Sequence, residues 1–162
     1  MKRVAPYYFL FLVPLLFGFV FLKKESIPVL NQQIVAYVKS VIGKKVDRGE
    51  CWDLANEALT KAHAKWDGDF KFGKPVNPAK DTIYPGDLIQ FENVVLNYAK
   101  GEMQYKELMS HHTAIVYKVN AKGEYEIAHQ NTGQYGRKVG LSELKLSDMT
   151  KGKTVFYRPV SN

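Results

Sequence analysis

Apolar residues recur every three to four positions in two stretches that follow residue 30. In residues 31–42, Ile34, Val38, Val41 and Ile42 share this spacing, and Gly43 supplies a natural stop. Residues 51–65 repeat the pattern, with one apolar face running from the cysteine at position 51. The pattern therefore predicts two amphipathic helices.

The second half of the chain favours strands instead. Short runs with strand-type alternation, separated by turn residues, predict four strands: 87–92, 113–119, 124–131 and 154–159. Pro159 predicts an edge position for the last strand. Helices followed by antiparallel strands predict an α+β domain in which the helices pack on the sheet.

The connecting segments are less regular. Residues 67–85 are rich in Gly, Pro, Asp and Asn and predict a long surface loop, a common place for function. Residues 94–109 are ambiguous, with a short helix expected around Gly101. Residues 141–149 predict either a short helix or a loop.

Residues 5–22 form an uncharged apolar run whose 18 residues are barely long enough to span a bilayer as a helix. Pro14 and Gly18 are tolerated in lipid, and no A-x-A-like cleavage site follows. The run therefore predicts an N-terminal hydrophobic helix in residues 1–24, as a membrane anchor or a cleaved signal peptide. Residues 25–30 are a linker and 31–162 one domain, placed outside the cytoplasm or secreted.

Composition and charge agree with this interpretation. A chain of 162 residues with 46% hydrophobic residues can bury one core. The net charge is +7, but Lys2, Arg3, Lys23 and Lys24 flank the apolar run. The remaining chain holds 19 basic and 16 acidic residues, a net charge of +3. The charge argues for a membrane and against nucleic acid as a partner.

Cys51 is the single cysteine, which excludes an intrachain disulfide framework. It opens the second predicted helix, and the positive end of a helix dipole favours thiolate over thiol. Cys51 is therefore a candidate nucleophile. The alternative is a buried structural cysteine, since free cysteines are often buried.

A nucleophilic cysteine needs a base within hydrogen-bond reach and a group that orients the base. His112 opens a predicted strand and shares a face with Ala114 and Val116. On the next strand His129 and Asn131 share a face, and either could bond the far nitrogen of the His112 ring. Both could also be polar residues at a wet strand end.

A zinc site is the rival use of Cys51, His112 and His129, but these residues lack any tight ligand spacing. The chain also has no G-x-S-x-G, P-loop or Rossmann glycine motif. We therefore expect neither a metal ion nor a cofactor.

Four segments in this order resemble the NlpC/P60 and CHAP superfamily of papain-like cysteine peptidases and amidases. They are residues 49–52 (GECW), 85–91 (PGDLIQF), 112–116 (HTAIV) and 128–131 (AHQN). Residues 49–55 and 111–115 also resemble the cysteine-proteinase-fold domain at the C-terminus of certain fungal actin-patch proteins.

The superfamily resemblance implies Cys51 as nucleophile, His112 as base, and His129 or Asn131 as the third member. It implies amide hydrolysis, with bacterial cell-wall peptides (peptidoglycan) as the usual substrate. Two alternatives stay open: acyl transfer to or from lipids, and a catalytically silent binding module of the same fold.

Overall fold

A computed structural model describes residues 26–161. Residues 1–24 lie outside this range. The predictions of an N-terminal hydrophobic helix and of an anchor or signal peptide there are therefore not addressed by the described residues. Within residues 26–161, no helix combines the length and apolar character needed to cross a membrane.

Two helices precede the strands, as the periodicity predicts. Helix α1 spans Val29–Val41 and helix α2 spans Cys51–Lys61. Helix α2 is shorter than the predicted 51–65, because His63 adopts a left-handed backbone conformation with φ of 54° and the chain then enters a strand. The apolar periodicity correctly predicted a helix from residue 51, but it continues beyond Lys61, where the helix ends.

Eight strands and one short 3-10 helix (Leu146–Asp148) follow. The strands are β1 (Ala64–Lys65), β2 (Lys74–Val76), β3 (Leu88–Lys100), β4 (Met103–Ala121), β5 (Glu124–His129), β6 (Gly140–Lys145), β7 (Met149–Arg158) and β8 (Val160–Ser161). Six of them form an antiparallel sheet in the order β2-β7-β3-β4-β5-β6, and β1 pairs with β8. The fold is thus a mixed α and β fold with an antiparallel sheet.

Three expectations about the strands were wrong. Residues 94–109 hold no helix: they belong to β3 and β4, which form a long hairpin that turns at Gly101. Residues 141–149 contribute most of β6, which was not predicted, and a short helix is present only as the 3-10 turn Leu146–Asp148. Strand β7 lies between β2 and β3 rather than at an edge, since Pro159 follows its last residue.

The sheet separates two apolar clusters. The helices cover one face, where Ile34 and Leu54 pack with Leu88 and Ile115. The opposite face carries its own buried cluster, which includes Ala114, Val116 and Ile127. Helix α2 is therefore held by burial along one face, and its first residue lies at the border of the sheet.

A buried polar network joins α1 to the start of β3. The Asp87 carboxylate accepts hydrogen bonds from Asn31 Nδ2 at 2.8 Å and from the Tyr84 backbone N–H at 2.9 Å. Arg158 donates to both carboxylate oxygens, at 3.2 and 2.9 Å. Gly86 has φ of 88°, and a side chain there would lie 2.4 Å from the Asn31 carbonyl oxygen. These contacts fix α1 against the sheet.

Candidate functional site

Cys51 is the first residue of α2 and is half-buried. Glu50 and Asp53 form a capping box, in which the Glu50 backbone N–H donates to Asp53 Oδ2 at 2.9 Å. Arg48 donates to the other oxygen of the fully buried Asp53 carboxylate at 2.5 Å. The local sequence therefore starts the helix at Cys51 and fixes the orientation of the Cys51 side chain relative to the helix.

Gln130 ties the loop before Cys51 to the sheet. Its side chain accepts the Val46 N–H at 3.2 Å and donates to the carbonyls of Val46 and Glu50, at 3.1 and 2.7 Å. Gly49 has φ of 91°, and a Cβ on it would lie 2.6 Å from the Cβ of Arg137. The approach of the chain to Cys51 thus depends on one buried amide and one glycine.

His112 and His129 form a hydrogen-bonded pair. His112 Nε2 lies 3.0 Å from His129 Nδ1, and both rings are buried. His129 Nε2 lies 2.9 Å from Ser142 Oγ on β6. When the Nε2–H of His112 donates to His129, Nδ1 of His112 is left unprotonated and can act as a base.

Cys51 and His112 line the same cavity, whose volume is about 290 Å³. The backbone N–H of Thr113, the residue after His112, lies near enough to the Cys51 sulfur to lower the pKa of its thiol. The structure thus places the predicted nucleophile and the predicted base on one cavity, and it places one of the two predicted orienting residues in hydrogen-bond contact with the base.

Burial keeps this site uncharged. Burial raises the pKa of the Cys51 thiol, although backbone N–H groups, that of Thr113 first, oppose the increase. The N-terminal end of α2 favours the thiolate, but desolvation is the larger effect, so the net change in the pKa of Cys51 is upward. Burial lowers the pKa of His112 to about 4 and that of His129 to about 3, with smaller effects from neighbouring imidazoles.

Asn131 does not bond His112. Strand β5 ends at His129, and Asn131 lies in a turn with φ of 60°, so it no longer shares a strand face with His129. Its side chain donates to Glu50 Oε2 at 2.6 Å, and it lines the same cavity as Cys51 and His112. His111 points away from the pair and contacts Glu92, with Nδ1 3.0 Å from a carboxylate oxygen.

Sequence reasoning missed two residues of the site. Ser142 lies in the segment predicted as a helix or loop, so nothing pointed to its contact with His129. Gln130 lies in the predicted strand 124–131, and an uncharged amide near the end of that strand is the only sequence signal of its role. Among residues 26–161 no group of three or more His, Cys, Asp or Glu side chains is placed to hold a metal ion.

Residues 29–162 match the model of a family described as the AIM3/BBC1 cysteine proteinase-fold domain. The chain belongs to this family. Membership supports the predicted papain-like cysteine proteinase fold, and the resemblance to NlpC/P60 or CHAP in particular stays a prediction.

The chain is also similar to a curated fungal protein, "Altered inheritance of mitochondria protein 3" of Debaryomyces hansenii. The two are 26% identical over 149 residues, which covers 80% of this chain and 16% of the relative. The chain thus spans about a sixth of the length of that relative. A solved structure, "The crystal structure of Ly7917", aligns with a TM-score of 0.47 at 16% identity, covering 78% of this chain and 62% of that one.

Proposed function

We propose that the domain is a cysteine-dependent amide hydrolase, a peptidase or amidase. The observation that carries the proposal is the shared cavity of Cys51 and His112, with His129 bonded to the far nitrogen of the His112 ring. Thiol hydrolases require a nucleophile, a base and a group that orients the base, and this site offers a candidate for each. A histidine as the third member favours the NlpC/P60 form of this arrangement.

Because the site is uncharged at rest, the reaction begins with general-base catalysis. His112 Nδ1 takes the thiol proton as the Cys51 sulfur attacks the amide carbonyl, and a C–S bond forms. The C–N bond then breaks, and the imidazolium returns the proton to the departing amine. Water hydrolyses the thioester by the same route and regenerates the thiol.

Backbone donors at the start of α2 would stabilise the tetrahedral intermediate. The N–H of Cys51 belongs to the first turn of the helix, which has no intrahelical partners for its donors. Such preorganised donors are worth about 3 kcal/mol each in comparable enzymes. His129 and Ser142 hold the His112 ring so that Nδ1 stays unprotonated.

The substrate in this proposal is a peptide amide bond. Neither the family description nor the name of the curated relative mentions a cell-wall peptide, so peptidoglycan stays a prediction of the superfamily resemblance. Membrane attachment through residues 5–22, and with it an extracytoplasmic location, likewise stays a prediction.

A silent binding module is the second candidate. The raised pKa of Cys51 and the lowered pKa of His112 favour it, because both groups are neutral at pH 7 and no thiolate is stored. A module of this kind would use the cavity to hold a peptide without cleaving it.

The test is hydrolysis of a mixed peptide pool by the full chain, followed by mass spectrometry. Cleavage should disappear in Cys51→Ala and fall by about 10²-fold or more in His112→Gln. His63→Asn is the matched control, since His63 lies beyond the C-terminal end of α2 and does not line the cavity, and it should keep full activity. Retention of peptides by the wild type without cleavage would decide for the binding module.

A further inference from the structure

Strand β4 has an open edge beside Cys51. Strand β3 pairs with β4 from Met103 to Ile115, but β5 pairs with β4 only from Ile115 to Ala121. In the part of the chain from 26 to 161, no strand covers the other edge of β4 from Met103 to Ala114. Uncovered edges of this kind accept additional strands.

Cys51 lies at this open edge. Alternate residues of a strand direct their N–H and C=O groups to opposite edges. Val116 exchanges hydrogen bonds with Gly86 and Asp87 on the β3 side, at 2.7 and 2.8 Å. The backbone N–H and C=O of Thr113 are therefore directed to the open edge. This direction agrees with the effect of the Thr113 N–H on the Cys51 thiol. His111 directs its backbone groups to the same open edge.

The open edge forms one wall of the active-site cavity. The cavity is lined by residues 107–112 of β4, by Asn131, Thr132 and Gly133 of the loop after β5, and by Cys51. Three large apolar side chains are exposed on this arm of β4: Met103 (62%), Tyr105 (40%) and Leu108 (66%). Exposed apolar side chains beside an open strand edge promote association with other chains unless they are covered.

We propose that the substrate is an extended polypeptide segment that pairs with the open edge of β4 between residues 105 and 111. This rests on the proposed function, because the added strand leads its scissile carbonyl to the Cys51 sulfur. Main-chain hydrogen bonds provide the affinity and tolerate many sequences. The exposed Leu108 side chain favours an apolar substrate residue on its face of the added strand.

The probes are two electrophiles applied to the full chain, tetraalanyl chloromethyl ketone and acetylalanyl chloromethyl ketone. In both reactions the Cys51 sulfur displaces chloride, a C–S bond forms, and the thiol proton passes to His112 and then to solvent. The longer probe should label Cys51 about tenfold faster or more, the gain from one or two additional hydrogen bonds. N-methylation of alternate amides in the probe should remove this gain, and methylation of the others should not.

Amide hydrogen exchange of the two adducts measures the pairing itself. In the tetraalanyl adduct, alternate amides between residues 105 and 109 should become protected, and in the acetylalanyl adduct they should exchange as in the free protein. Equal labelling rates, or protection without alternation, would overturn the proposal while leaving Cys51 as a nucleophile. Protection of those amides in a dimer of the unlabelled protein would also overturn the proposal, because a second copy of the chain would then cover the edge. Failure of both probes to label Cys51 would instead refute the proposed function.

Discussion

The buried histidine pair makes the stability of the domain depend on pH. His112 and His129 have pKa values lowered to about 4 and about 3 by burial, whereas a histidine in the unfolded chain titrates near 6.5. Between these values the unfolded state binds protons that the folded state does not. The stabilisation is therefore fully present above about pH 6.5 and is lost as pH falls toward about 4.

The size of the effect follows from these pKa values. At pH 5, protonation favours the unfolded state by about 2 kcal/mol for each histidine, so the pair costs about 4 kcal/mol relative to pH 8. Urea unfolding of the full chain at pH 8 and pH 5 measures this loss. Carboxylates also titrate in this range, so the wild type is compared with the double variant His112→Gln and His129→Gln.

The double variant should lose about 4 kcal/mol less than the wild type between pH 8 and pH 5. His111→Gln is the control, since its ring is exposed and pairs with Glu92, and it should retain most of the wild-type loss. A difference below about 1 kcal/mol between the wild type and the double variant would refute the reasoning, because it would mean that both rings are charged or solvated in the folded state.

Three further substitutions test other parts of the structure. Arg158→Met removes the cation beside the fully buried Asp87 carboxylate and should cost about 3 kcal/mol of unfolding free energy in urea; an unchanged midpoint would contradict the network. Gln130→Leu leaves both polar groups of the Val46 backbone without their partner and should cost about 3 kcal/mol by the same assay, whereas a loss below about 1 kcal/mol would refute that role. Asn131→Ala should change peptide hydrolysis by less than about twofold, because Asn131 bonds Glu50; a loss of about tenfold or more would return it to the catalytic group.

The chemistry of the site was predictable because it lies in short motifs. A cysteine at a helix start is visible in sequence, as is a histidine next to an alternating run. The predicted strand start was wrong, however, because His112 lies in the interior of β4. The choice between His129 and Asn131 was not predictable, since it depends on where β5 ends. A strand continued to residue 131 would have placed both side chains on one face.

The long hairpin of β3 and β4 was not predictable from the same signals. Within residues 94–109 only Val94, Leu96 and Met109 are buried, and most of the arm beyond residue 96 is exposed, so the period of two covers too few residues to predict two long strands. The register comes from pairing across the Gly101 turn, which is a tertiary property of the hairpin. The open edge that this hairpin presents to Cys51 was hidden for the same reason.

The most direct test of the central claim is the rate at which Cys51 becomes acylated by p-nitrophenyl acetate at pH 7. The acyl group is located by mass spectrometry, and the initial release of p-nitrophenol gives the rate in the wild type and in His112→Gln. Cooperation between the two residues predicts acetylation at Cys51 and a rate lower by about 10²-fold or more in the variant. Equal rates in the two proteins would contradict the assignment of His112 as the base.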